Sequence, residues 1–301
     1  MRSNLFRWIK IVLTIAVLGL LLVKIKPEVV LNAFAHVKFD WLLLAILIGV
    51  VIVMLRWFKW HLLVRSALGM TQGAQTLASL LGGMAFALVT PARVGELSRV
   101  AFLSTGTRAE ASGLVLIDRF IDLAVVLIFG VIGITVIFGA GEWRLLVVPL
   151  VIIILLAVIF KLDLLLRLGS NFIPIKRLHE WISQASAGLG RLSNSTLAAN
   201  LMLTLLMTVL DIVSLYVLVR ALGATNFKAV AFAYPIIMLT NLAPITISGL
   251  GVREMTSVKL FTTLFKIPSA IAFNATFLSY LLNSLTPALF GIYYFRRLDQ
   301  K

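Results

Sequence analysis

The sequence predicts an all-α polytopic membrane protein of about six spanning helices plus two opposed re-entrant helical hairpins in an inverted repeat. Three observations carry that reading. Of the 301 residues 61% are hydrophobic and only 13% charged, with a mean hydropathy of +1.06, whereas a soluble domain is roughly half apolar and a quarter charged. The apolar runs approach the ~20 residues that a spanning helix needs and lack the short alternating pattern of spanning strands. Two stretches, Thr90-Pro91-Ala92-Arg93-Val94-Gly95-Glu96 and Pro244-Ile245-Thr246-Ile247-Ser248-Gly249-Leu250-Gly251-Val252-Arg253-Glu254, interrupt such runs with proline, glycine, arginine and glutamate.

The chain reads as one integral membrane domain, 1–301, with a first half at about 1–140 and a second at about 144–301. Arg2, Arg7 and Lys10 precede an apolar run at 11–23. The run resembles a signal peptide, but the A-x-A match at Ala33-Phe34-Ala35 lies past Lys24, Lys26 and Glu28, so an uncleaved first helix is expected. A second span, 41–55, closes on Arg56-Trp57-Phe58-Lys59-Trp60, read as an interfacial belt of aromatic and basic residues. At 76–104 the chain turns apolar but is broken at Gly82-Gly83 and at Thr90-Pro91. Proline suits the first turn of a new helix and threonine its cap, which predicts the first re-entrant hairpin.

Residues 113–138 and 145–160 are spans joined by Glu142-Trp143-Arg144. The basic connection at about 161–196 carries leucines and isoleucines that suggest amphipathic helices on the membrane surface. Residues 197–219 span again, with Asp211 in the middle. The second interrupted region covers 227–265, and a last span runs 268–295 with Asn274, Asn283 and Pro287 inside it.

Net charge is +15. Most basic residues sit at helix ends, where they meet anionic headgroups, and no basic, aromatic-interleaved soluble domain is present, so nucleic acid is not an expected partner. The basic residues of the N-terminus, of the end of the second span, of the 161–196 connection and of the C-terminus all fall on one side. They outnumber those on the other side, which predicts both termini in the cytoplasm of a cell (inner) membrane protein. The first hairpin then enters from inside and the second from outside. Interrupted helices in corresponding positions of two halves point to a midplane binding site. The chain has no cysteine, and His36, His61 and His179 are scattered, so no metal cluster is expected. No cofactor-binding fingerprint is present.

An arginine or aspartate at the centre of a spanning helix costs about 2.5–3.5 kcal/mol, so Arg93, Glu96, Arg253 and Glu254 together would cost roughly 10 kcal/mol against lipid. They are expected to face protein, water or a ligand instead. Half-helices beginning inside the membrane aim N–H groups and positive dipole ends at whatever lies between them, and guanidinium groups bind phosphate in a bidentate way. Arg93, Glu96, Arg253 and Glu254 are therefore the candidate lipid-binding residues, supported by Thr90, Pro91, Gly95, Gly249 and Gly251. The alternative is that each Arg-Glu pair only pins its own hairpin.

Asp118 and Asp122 share a helix face, with Arg119 placed to pair with Asp122. They are read either as a structural group or as partners of Arg93 or Arg253. Asp211 is a partner for a site arginine or a protonatable relay. Asn200, Asn241, Asn274 and Asn283 read as interhelical hydrogen-bonding groups and Gly82-Gly83 as a packing notch.

In order, Thr90-Pro91-x-Arg93-x-Gly95-Glu96, Asp118-Arg119-x-x-Asp122 and Gly249-x-Gly251-x-Arg253-Glu254 resemble the membrane region of lysylphosphatidylglycerol synthases, over nearly the whole chain. The resemblance implies a lipid-binding or flipping module with two re-entrant hairpins, whose partner is an anionic phospholipid or a polyprenyl-phosphate-type lipid. It carries Arg93, Glu96, Arg253 and Glu254 over as lipid-site residues. Ala92 stands where that pattern has glycine. No transferase domain follows Arg297, so headgroup modification is not carried over, and the alternative is a membrane subunit of an aminoacyl or glycosyl transferase whose catalytic domain is on another chain.

Overall fold

The computed structural model describes residues 37–104, 106–139, 176–240 and 249–298, together with isolated positions 28, 141, 151, 154, 158, 161 and 246. Among the described residues every regular element is helical. In chain order they are α1 (Phe39–Leu68), α2 (Gly73–Val89), a 3₁₀ segment (Pro91–Phe102), α3 (Arg108–Phe138), α4 (Lys176–Gly190), α5 (Asn194–Ala221), α6 (Phe227–Leu239), α7 (Val252–Phe265), α8 (Ser269–Tyr280), a π-helical turn (Leu281–Leu285) and α9 (Thr286–Leu298).

Four helices are long and apolar enough to cross a membrane: Phe39–Leu68, Arg108–Ile137, Asn194–Ala221 and Ser269–Tyr293. They correspond to four of the six expected spans. The expected first span at 11–23 lies outside the described residues, as does that at 145–160 apart from isolated helical positions. α3 begins earlier than hydropathy alone suggests because Thr107 and Glu110 form a capping box.

Burial divides the interior into two apolar cores. One gathers Trp60, Leu63, Leu80, Leu114, Ile117 and Ile121; the other gathers Leu218, Ala233, Ile237, Phe261 and Ala275. The long helices enter both. α1 gives Ala45 to the second core and Trp60 to the first, and α5 gives Leu197 to the first and Leu218 to the second. The broken elements are local: α2 and the 3₁₀ segment pack on each other in the first core, while α6 and α7 belong to the second. Lipid supplies no hydrophobic drive between helices, so small residues that admit a neighbouring backbone decide the packing. A Cβ at Gly133 of α3 would collide with the Phe232 carbonyl of α6.

One expectation for α1 is corrected. Its apolar run ends near Leu55 but the helix does not, continuing to Leu68. The buried positions Ala45, Gly49, Ile52, Lys59, Leu63 and Ala67 fall on one stripe, so Lys59 and Trp60 are fully buried rather than set in an interfacial belt. The amphipathic connection is helical from Lys176, and its Ala185 and Ser186 are buried; Ala185 presents its carbonyl to Gly113 of α3.

The first break is built by Thr90. Its hydroxyl donates to the Phe86 carbonyl at 3.0 Å and accepts from the Gly95 N–H at 2.7 Å, closing the corner between α2 and the 3₁₀ segment. Pro91 occupies the first helical turn, where a missing N–H does no harm. Only glycine fits at 95, because a Cβ there would overlap the Phe86 carbonyl and come within 2.6 Å of Thr90 Oγ1. Gly95→Ala is therefore expected to lower the unfolding temperature of the detergent-solubilised protein, costing about 1–3 kcal/mol, and Thr90→Val to do so by about 1 kcal/mol. Thermal unfolding of the two variants beside the native chain measures both.

Candidate functional site

Six charged side chains meet at the inner faces of α1, the 3₁₀ segment and α3. Lys59 lies 3.0 Å from Asp118 and also pairs with Asp122. Arg99 bonds Glu96 at 2.8 Å and Asp118 at 2.9 Å. Arg119 bonds Glu96 at 2.9 Å, Asp118 at 3.0 Å and Asp122 at 2.9 Å. Helical spacing brings Asp118 and Asp122 to one face with Arg119 beside them, and the three-residue period of the 3₁₀ segment sets Arg99 directly over Glu96. Lys59 also donates to Thr204 of α5 at 3.2 Å, and the Arg99 guanidinium lies 5.3 Å from the Trp60 ring centre. Gly83 makes room for Arg99, since a Cβ there would overlap its side chain.

The second interrupted region holds a separate pair. Arg253 bonds Glu254 through Nε at 3.1 Å and Nη2 at 2.5 Å, and Nη2 also donates to the Thr276 carbonyl at 3.3 Å. The other carboxylate oxygen of Glu254 accepts the Gly251 N–H at 2.6 Å, so one buried side chain both caps α7 and holds the arginine. Gly249 and Gly251 have φ of 74° and 85°, a region open to glycine. The Arg253 guanidinium lies 4.9 Å from the Tyr280 ring centre of α8.

Both groups border one cavity of about 450 Å³. Glu96, Arg99, Arg119 and Asp122 line it from the first half, Asp211 and Arg253 from the second, and Met84, Leu97, Val115, Leu123, Met207 and Met238 supply apolar wall. The cavity thus joins Glu96, Arg119, Asp122, Asp211 and Arg253, all singled out in the sequence. Asp118 and Glu254 stand behind the lining as partners, and Thr90, Pro91, Gly95, Gly249 and Gly251 shape the backbone. The side chain of Arg93 lies outside the described residues. The arrangement offers both charge signs and apolar surface to one ligand. No group of three His, Cys, Asp or Glu side chains among the described residues is placed to hold a metal ion.

The family model of the lysylphosphatidylglycerol synthase TM region matches residues 7–291. The chain belongs to that family. Its apolar helices and this membership make it a membrane protein with a lipid-related role. A search of curated proteins finds no match.

Three cavity or network residues escape a reading by hydropathy. Arg56, Lys59 and Arg99 look like residues just beyond apolar runs, where basic side chains meet headgroups. The buried stripe of α1, continued in steps of three and four past Ile52, reaches Arg56, Lys59 and Leu63, and Arg99 follows Glu96 by three. Those spacings were the available signal. Removing one partner from a buried ion network leaves the others uncompensated. Lys59→Met is expected to destabilise the protein by about 3–5 kcal/mol. Adding Asp118→Asn should recover part of that loss, with a coupling of about 0.5–3 kcal/mol measured by thermal unfolding of the single and double variants.

Proposed function

We propose that the protein binds an anionic or phosphate-linked lipid by its headgroup in the central cavity and moves it between the leaflets of the cell (inner) membrane, without itself making or breaking bonds. The observation that carries this reading is the cavity, headgroup-sized, walled by apolar side chains and bordered by arginines from both interrupted regions. Ionisable groups inside a membrane protein mark substrate pathways by default. α2, with 17 residues, and α6, with 13, are only ~25 Å and ~20 Å long, short of a ~30 Å hydrocarbon layer. Those lengths support two re-entrant hairpins; that they are opposed as an inverted repeat, with both termini in the cytoplasm, belongs to the same proposal and is supported by the bias of basic residues in the sequence.

In this mechanism the headgroup exchanges its hydration for Arg93 and Arg253, which bind phosphate oxygens, while Glu254 keeps Arg253 oriented and Glu96 takes part in the buried network. The tails remain in lipid. The Arg93→Ala, Arg253→Ala double variant, reconstituted in proteoliposomes, is expected to move fluorescent phosphatidylglycerol between leaflets at least about tenfold more slowly, since a charge-assisted hydrogen bond contributes about 1.5–3 kcal/mol. Movement at the native rate overturns the reading.

The family's name favours a second reading, the membrane part of a headgroup-modifying transferase. Deletion of the gene would then remove a modified lipid from the cell's lipid profile.

A further inference from the structure

The cations at the cavity are unequally committed. Arg99 and Arg119 spend their Nη groups on Glu96, Asp118 and Asp122, and with Lys59 they form a network of three positive and three negative groups. An anion placed there would unbalance it. Arg56, half-buried on α1 and lining the same cavity, has no carboxylate partner among the described residues. Its one hydrogen bond among them runs from Nη1 to the Asn283 carbonyl at 3.4 Å.

That carbonyl lacks its usual α-helical donor for a reason visible in the sequence. Pro287 follows Asn283 by four residues and has no N–H to give it, and the helix widens into the π-helical turn Leu281–Leu285 just before the proline. The turn delivers an amide to the cavity. Asn283 is 7% exposed, lines the cavity beside Ser279 and Ser284, and its Oδ1 has no hydrogen-bond partner among the described residues. Gly49 of α1 leaves the notch that holds it, since a Cβ there would lie 2.9 Å from Oδ1. A buried acceptor without a partner costs about 1–3 kcal/mol unless a donor, such as a headgroup hydroxyl, meets it. One turn earlier Tyr280 faces Arg253, whose Nη1 makes no hydrogen bond among the described residues.

We propose that Arg56 and Asn283 join Arg253 in the phosphate subsite of the cavity, assembled on the π-helical turn, and that the six-charge network beside it is scaffold. Arg56 and the free Nη1 of Arg253 bind phosphate oxygens as charge-assisted donors, while the Asn283 amide donates through Nδ2 to the phosphate and accepts a headgroup hydroxyl at Oδ1. The inference rests on the lipid-binding reading and locates the headgroup within it.

The test is thermal unfolding of the full chain in mild detergent with dihexanoyl phosphatidylglycerol, with dihexanoylglycerol, which lacks the phosphate, and with inorganic phosphate. The native chain is expected to be stabilised by the phosphatidylglycerol only. Arg56→Gln should raise the concentration needed at least about tenfold, and Arg56→Lys, which keeps charge but not the planar fork, should recover part of the loss. Asn283→Ser, smaller and uncharged, should weaken binding severalfold and is decisive if Arg56→Gln does not fold. Native-like binding by Arg56→Gln, or by Asn283→Ser, overturns the subsite while leaving the lipid reading standing. A native chain that responds to neither phosphatidylglycerol nor phosphate overturns both. Equal stabilisation by inorganic phosphate keeps the subsite and overturns its lipid source.

Discussion

The buried pairing of Lys59 with Asp118 and Asp122 is the contact on which the rest of the site depends. Lys59 is fully inside, and a lone ammonium there would face a desolvation cost of several kcal/mol. The cost is offset only because two carboxylates one helical turn apart point back from α3, and each is shared with an arginine. Three cations against three anions leave the cluster neutral, so it can sit in a low-dielectric interior. Such networks contribute little net stability compared with well-packed apolar groups. Their effect is to fix register: α1, the 3₁₀ segment and α3 cannot slide without breaking several pairs at once.

Register matters here because the neighbouring backbone is irregular. Non-helical backbone at membrane depth persists only where protein or a water-filled cavity satisfies its polar groups. At the first break Thr90 supplies both a donor and an acceptor; at the second, Glu254 accepts the Gly251 N–H. Pro287 makes a third irregularity within an otherwise continuous apolar helix, and Arg56 answers it from α1. In each case a polar side chain that looks expensive in a membrane sequence takes up a backbone group that would otherwise be more expensive.

Much of this was legible in the sequence. Spanning segments are a property of composition over some twenty residues, so α3, α5 and the α8–α9 unit fall close to their expected limits. The interruptions were legible because proline and glycine act locally. Arg119 and Asp122 pair as their spacing requires, and Arg253 with Glu254. What hydropathy concealed was the second half of α1. A window that averages apolar residues ends where charges begin, and it cannot separate a helix emerging into headgroups from one entering a charged interior. Only periodicity distinguishes the two, and Lys59 and Arg56 keep the phase of Ile52. Of the partners of Arg99, Glu96 was legible from its i,i+3 spacing, whereas Asp118 was hidden because it comes from another helix.

The division between a balanced network and an unbalanced arginine has a mechanical logic. A protein that releases its ligand must survive the empty state, and an interior of unmatched charges would not. Structural charges therefore have to be neutral among themselves, and the charge that recognises an anion has to be one the fold can leave unpaired. In the proposed subsite Arg56 would meet that requirement because it is half-buried and tethered by a carbonyl, a weaker partner than a carboxylate and one that an anion can replace without exposing a buried negative group. Arg253 meets it differently, keeping one face of its guanidinium edge on Glu254 while the opposite donor stays uncommitted. The two arginines thus touch successive turns of the same helical unit, on either side of where its pitch changes to the π-helical turn.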